Sequence, residues 1–108
     1  MDALKVLGQS NPNATTLTTL YTVPASTSTT ASSIVVCNQA AAVGTFRVAI
    51  RVAGASVTAA QYLYYDQTLA ANSTFIATIG ITLATTDVVS VYASSATMSF
   101  NLFGVEVS

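Results

Sequence analysis

The chain contains no histidine and no tryptophan, a single cysteine, three Lys or Arg and four Asp or Glu. Without histidine it can form neither a Ser/His/Asp nor a Cys/His relay, and it has no imidazole ligand for zinc. Cys37 cannot close an intrachain disulfide. No base lies near it in sequence, and its flank Ile34-Val35-Val36 suits a buried structural thiol. The carboxylates Asp2, Asp66, Asp87 and Glu106 are widely separated, so a paired-acid hydrolase has no local signature. The five glycines make no Gly-x-Gly spacing and no phosphate-cradling loop. Lys5, Arg47 and Arg51 are too few to neutralise a phosphate backbone, which argues against nucleic-acid binding. Thr and Ser interrupt every apolar run well short of the roughly 18 residues of a membrane helix. The opening Met1-Asp2-Ala3-Leu4-Lys5 lacks the pattern of a secretion signal, so cytoplasmic synthesis without export is expected. No cofactor is implied.

What fills the chain instead is small and β-favouring. Of its 108 residues 52% are apolar and only 6% charged, and the length fits one domain over residues 1–108. Residues Gly44 to Val52 alternate Phe46, Val48, Ile50 and Val52 with Thr45, Arg47, Ala49 and Arg51, the period of a half-buried strand. From Thr74 to Leu83, Phe75, Ala77, Ile79, Ile81 and Leu83 do the same. Further strands are expected at Leu4 to Gly8, Leu17 to Val23, Ser32 to Asn38, Gln61 to Leu69, Val88 to Ala93 and Thr97 to Val107, separated by turn-forming segments. Eight short strands so spaced predict an all-β fold, an antiparallel β-sandwich of jelly-roll-like order.

Three segments do not fit a sheet with one wet face. Met98, Phe100 and Leu102 share one parity while Phe103, Val105 and Val107 take the other, which predicts a β-bulge beside Gly104 or else a strand covered on both faces. Ile34-Val35-Val36-Cys37 and Val88-Val89 also present apolar groups to both sides. A sandwich core covers only one side of each sheet. Another protein chain is the expected cover for the second.

Several stretches are familiar as a set: Leu20-Tyr21-Thr22-Val23-Pro24-Ala25, Ser32-Ser33-Ile34-Val35-Val36-Cys37-Asn38, Gln61-Tyr62-Leu63-Tyr64-Tyr65-Asp66 and Asp87-Val88-Val89-Ser90-Val91-Tyr92-Ala93. With them the chain resembles small β-rich virion proteins of tailed bacteriophages, including those of cyanobacteria. It departs from that pattern after Pro24-Ala25, where a glycine is common and Ser26 stands. The resemblance implies a structural virion protein, first of all a capsid decoration or cement protein that binds the major capsid protein at the capsid surface. A small tail, neck or fibre-base module and a glycan- or receptor-binding domain are the alternatives. It further implies other virion proteins as partners. Closed symmetry would hide the sheet edges and the spare apolar faces together, and phage heads offer two-fold and three-fold positions, so a homo-oligomer is expected, with a trimer favoured over a dimer.

The candidate interface residues are Arg47, Arg51, Tyr62, Tyr64, Val88 and Tyr92. Arg47 and Arg51 point the same way from one strand. They read either as solubilising charges or as a two-point docking pair for an acidic strip. Alternation places Tyr62 and Tyr64 on one face, as core, as interface or as a sugar platform. Asp66 is expected to pair with Arg47 or Arg51, and Asp87 to cap a turn.

Overall fold

The computed structural model describes residues 2–108. Nine strands follow in order: β1 (Asp2–Ser10), β2 (Thr18–Thr22), β3 (Ser28–Asn38), β4 (Gly44–Arg51), β5 (Tyr62–Leu69), β6 (Thr74–Ala77), β7 (Ile81–Leu83), β8 (Val88–Ala93) and β9 (Met98–Val107). All pair antiparallel. One sheet runs β1-β9-β3-β6, with β7 also on β3, and the other runs β2-β8-β4-β5. Every connection but β4–β5 and β6–β7 crosses from one sheet to the other, the order of two interlocked Greek keys expected for a jelly roll. The ninth strand arises because the predicted Thr74 to Leu83 segment breaks at residues 78–80. There Gly80 takes φ 60°, and Ile79, expected to face inward, is exposed.

The core lies between the sheets, where the alternation in the sequence puts it. Ile34, Val36, Phe100, Leu102 and Met98 come from the first sheet, and Phe46, Val48, Val89 and Val91 from the second. Phe46 and Tyr64 from one sheet meet Phe75 and Phe100 from the other, with ring centroids 5.1–6.1 Å apart in tilted or edge-on contacts.

β9 corrects one expectation. It alternates without a break, so Met98, Phe100 and Leu102 face the core while Phe103, Val105 and Val107 face outward. The register slips lie instead in its two neighbours, at Leu7 of β1 and Ser32 of β3. Those slips flank Phe103, next to Gly104, where the backbones approach closely: an added Cβ would sit 2.2 Å from the Thr30 carbonyl oxygen and 2.7 Å from the Ala31 Cα. Cys37 is a second correction. It lies on the outward side of β3 opposite Ser99 and Thr74 and is half-buried, because the same alternation that sends Ile34 and Val36 inward sends Val35 and Cys37 out.

Turn chemistry fixes the ends. Asp87 is buried, with Oδ2 accepting from the Ala84 amide at 3.0 Å and Oδ1 from the Ala53 amide at 2.9 Å. It closes its own turn, as expected, and also ties down residues 52–54. Ser26, standing where the resemblance favours glycine, has φ 57°, a left-handed conformation that a Cβ disfavours. Ser26→Gly is therefore expected to stabilise the fold by about 0.5–1 kcal/mol, read as a higher urea midpoint with an unchanged slope.

Tyr21 joins the two sheets at one end. Its hydroxyl donates to Glu106 Oε2 at 2.5 Å and lies 2.8 Å from Thr29 Oγ1, while Lys5 Nζ reaches Glu106 Oε1 at 3.2 Å. Burial, with the Glu106 hydrogen bond second, pushes the Tyr21 pKa from 10.0 up to about 12. The Tyr21 hydrogen bond holds the Glu106 carboxyl below its ordinary 4.5. For Glu106, the stability gained is complete above 4.5 and is lost as pH falls through the lowered folded value. For Tyr21, it is complete below 10.0 and is lost as pH rises through about 12. Chemical denaturation across pH should show both limbs. Glu106→Gln should flatten the acid one and Tyr21→Phe the alkaline one.

Candidate interaction surfaces

The two outer faces differ in chemistry. On the β2-β8-β4-β5 sheet, Arg47 stands outward opposite Tyr92. Its guanidinium carbon lies 4.1 Å from the Tyr65 ring centroid and 4.2 Å from that of Tyr92. Arg47 Nε donates to Asp66 Oδ1 at 2.7 Å and Nη2 to Oδ2 at 3.3 Å. Asp66 thereby raises the arginine pKa further above its ordinary value. Tyr62 packs edge-on against Tyr65, 4.9 Å between centroids. The result is a rigid cluster of three tyrosines around one neutralised cation.

Two irregularities in the β4–β5 pairing build this cluster. β5 has Tyr65 and Asp66 against the single Arg47, with Asp66 at φ 52°, and Leu63 as an extra residue between Tyr62 and Tyr64. The second of these separates the two tyrosines that alternation put on one face. Tyr64 turns to the core beside Phe46 and Phe75, and Tyr62 turns outward to Tyr65.

The other candidate residues on this sheet are occupied by their own chain. Arg51 donates from Nε to the Ala55 carbonyl at 2.7 Å and from Nη2 to the Gly54 carbonyl at 3.0 Å. It clamps the start of the connection that folds back through the short 3-10 turns Val52–Gly54 and Ala59–Gln61. Val88 is buried next to Gly54, so this connection supplies the cover that the sequence assigned to a second protein. Ser90 and Ala49, paired on the same outer face, are likewise buried. A shallow depression of about 560 Å³ lined by Val57, Thr58, Ala59, Tyr62, Leu63 and Tyr65 remains beside the cluster.

The β1-β9-β3-β6 sheet is different. Its outward side chains include Leu4 opposite Val105, Val6 opposite Phe103, Val107, and Val35 opposite Ile76, interspersed with Ser99, Asn101, Thr30, Ser33, Thr74 and Thr82. Asp2, at one corner, is the sole charged side chain that pairing places on this face among the described residues. Leu4 is 87%, Ile76 65% and Val6 48% exposed. The parity of Phe103, Val105 and Val107 and the two-sided apolar run around Val35 signalled this face in the sequence. Leu4, Val6 and Ile76 join it only through strand pairing, which no single segment reveals.

Among the described residues no three His, Cys, Asp or Glu gather as a metal site, and no helix is long and apolar enough to cross a membrane. No protein-family model, no curated protein and no solved structure matches this chain.

Proposed function

We propose that this chain is a structural virion protein of a tailed bacteriophage, a decoration protein that lays the outer face of its β1-β9-β3-β6 sheet on the major capsid protein shell. One observation carries this reading: the outer face of a five-stranded sheet is studded with exposed Leu, Val and Ile and a half-buried Phe103, and has a single charge at its corner. Depletion of charge marks the centre of protein interfaces. A solitary soluble domain seldom leaves so large a face apolar. The molecule measures 42 × 27 × 20 Å, and its broad side offers more than the roughly 800 Å² per partner of a standard interface. The resemblance drawn from the strand and turn segments supplies the kind of partner.

Arg47 and Arg51 take a supporting part. Their guanidinium groups are already bound to Asp66 and to loop carbonyls, so the outer face of the β2-β8-β4-β5 sheet is the side turned to solvent. Quantitative mass spectrometry of purified particles tests the assignment. A decoration protein is present in hundreds of copies, on the order of the capsid protein itself. A handful of copies would move the chain to the tail or neck, and its absence from particles would refute the proposal.

A further inference from the structure

The four sheet edges are not equally protected. β2 is five residues long and its pairing slips at Leu20. β5 carries two irregularities and the left-handed Asp66. β6 and β7 are four and three residues long, divided at residues 78–80. Short, bulged or interrupted edges resist pairing with other chains. β1 is the exception. It is nine residues long, pairs with β9 alone, has no proline, and runs in regular register from Asp2 to Val6 before its slip at Leu7. Its one cation, Lys5, is drawn to Glu106 of β9. Its central side chain, Leu4, is the most exposed large apolar group among the described residues.

We propose that β1 pairs antiparallel with β1 of a second copy of this chain, about a two-fold axis through Leu4, joining two five-stranded sheets into one of ten. Such an axis stands normal to the sheet, so residues of equal parity face each other and both apolar outer faces lie on the same side. With Leu4 opposite Leu4 of the second copy, Ala3 meets Lys5 and Asp2 meets Val6, and no like charges oppose. Centring the axis on Lys5 would oppose two lysines. Centring it on Val6 would draw the Leu7 slip into the ladder, and centring it on Ala3 would set each Leu4 against Asp2 instead of an apolar neighbour. The segment therefore selects one register, and it selects itself as occupant: each Leu4 gains an apolar cross-strand neighbour, worth several tenths of a kcal/mol beyond the ladder. Because the pairing is dyadic, the assembly it builds is a dimer rather than the trimer expected from the sequence. Five residues bury less than a standard interface, so dimerisation is concentration-dependent. When both copies' outer faces meet one surface, their two contacts act together.

Sedimentation velocity on the full chain over a wide concentration range tests this without any shell present, so its failure is distinguishable from failure of capsid binding. The expected result is a monomer–dimer equilibrium whose dissociation constant rises about tenfold or more in Leu4→Lys, with an unchanged circular dichroism spectrum because Leu4 is exposed. In a Cys37→Ser background, Leu4→Cys should cross-link to covalent dimer under mild oxidation, while Ile76→Cys, at the opposite edge of the same sheet, should not. A chain that stays monomeric throughout, a dimer indifferent to Leu4→Lys, or equal cross-linking at both positions would overturn the proposal.

Discussion

Phe46→Ala is expected to cost about 3–5 kcal/mol, the range for emptying a buried phenylalanine site. Phe46 is 1% exposed and touches Tyr64 of its own sheet and Phe75 and Phe100 of the other. It is the ring through which the two halves of the sandwich meet. The loss has two parts, transfer of the benzyl group to water and a cavity that two sheets held about 10 Å apart cannot close. The three tilted or edge-on contacts add about 0.5–1.5 kcal/mol each beyond area, which places the effect towards the top of the range. A domain of this size has about 5–15 kcal/mol in all, so the variant should lose a third or more of its stability. Guanidinium denaturation of wild type and variant measures it. A loss below about 1 kcal/mol would mean that the sheets are not held by this cluster.

Gly104→Ala is the second large effect, with an expected loss of about 3 kcal/mol, the upper end for forcing an atom into a packed site. The added methyl would overlap the Thr30 carbonyl oxygen at 2.2 Å and the Ala31 Cα at 2.7 Å. Both are backbone atoms in the strand paired to β9 and cannot swing away. β9 is the strand that joins β1 to β3, so relief requires opening one of its two ladders. Gly44→Ala is the control, because its added Cβ would meet the terminal methyl of Met98 at 2.4 Å, a flexible end that can move. Similar unfolding midpoints for the two variants would contradict the close-approach account of Gly104.

How far the sequence revealed these features follows from which interactions are local. The strands at 44–52 and 88–93 were legible because one face is apolar along the segment itself, and the sandwich followed from their number and spacing. The salt bridge of Asp66 with Arg47 and the turn closed by Asp87 were also legible, since each draws on charge and position in a chain with few charges. What strict alternation cannot show is an extra residue. Leu63 sends Tyr62 and Tyr64 to opposite faces, and Leu7 and Ser32 let β9 pass straight beside Gly104 where the sequence suggested that β9 itself must bulge. The cover over Val88 was hidden for a related reason: residues 52–61 have no periodicity, yet Arg51 and Asp87 hold them back against the sheet. Of the six candidate interface residues, the structure gathers Arg47, Tyr62 and Tyr92 around Tyr65, turns Tyr64 to the core, and commits Arg51 and Val88 to the loop. The face that now carries the functional proposal is assembled from four strands distant in sequence.

If the chain has the proposed function, co-sedimentation with empty expanded phage heads tests it most directly, comparing wild type with Phe103→Glu on the apolar face and Tyr65→Glu on the opposite one. The account predicts that wild type and Tyr65→Glu pellet with the heads while Phe103→Glu, folded by circular dichroism, stays in the supernatant. Retention of Phe103→Glu on the heads, or release of Tyr65→Glu alone, would contradict it.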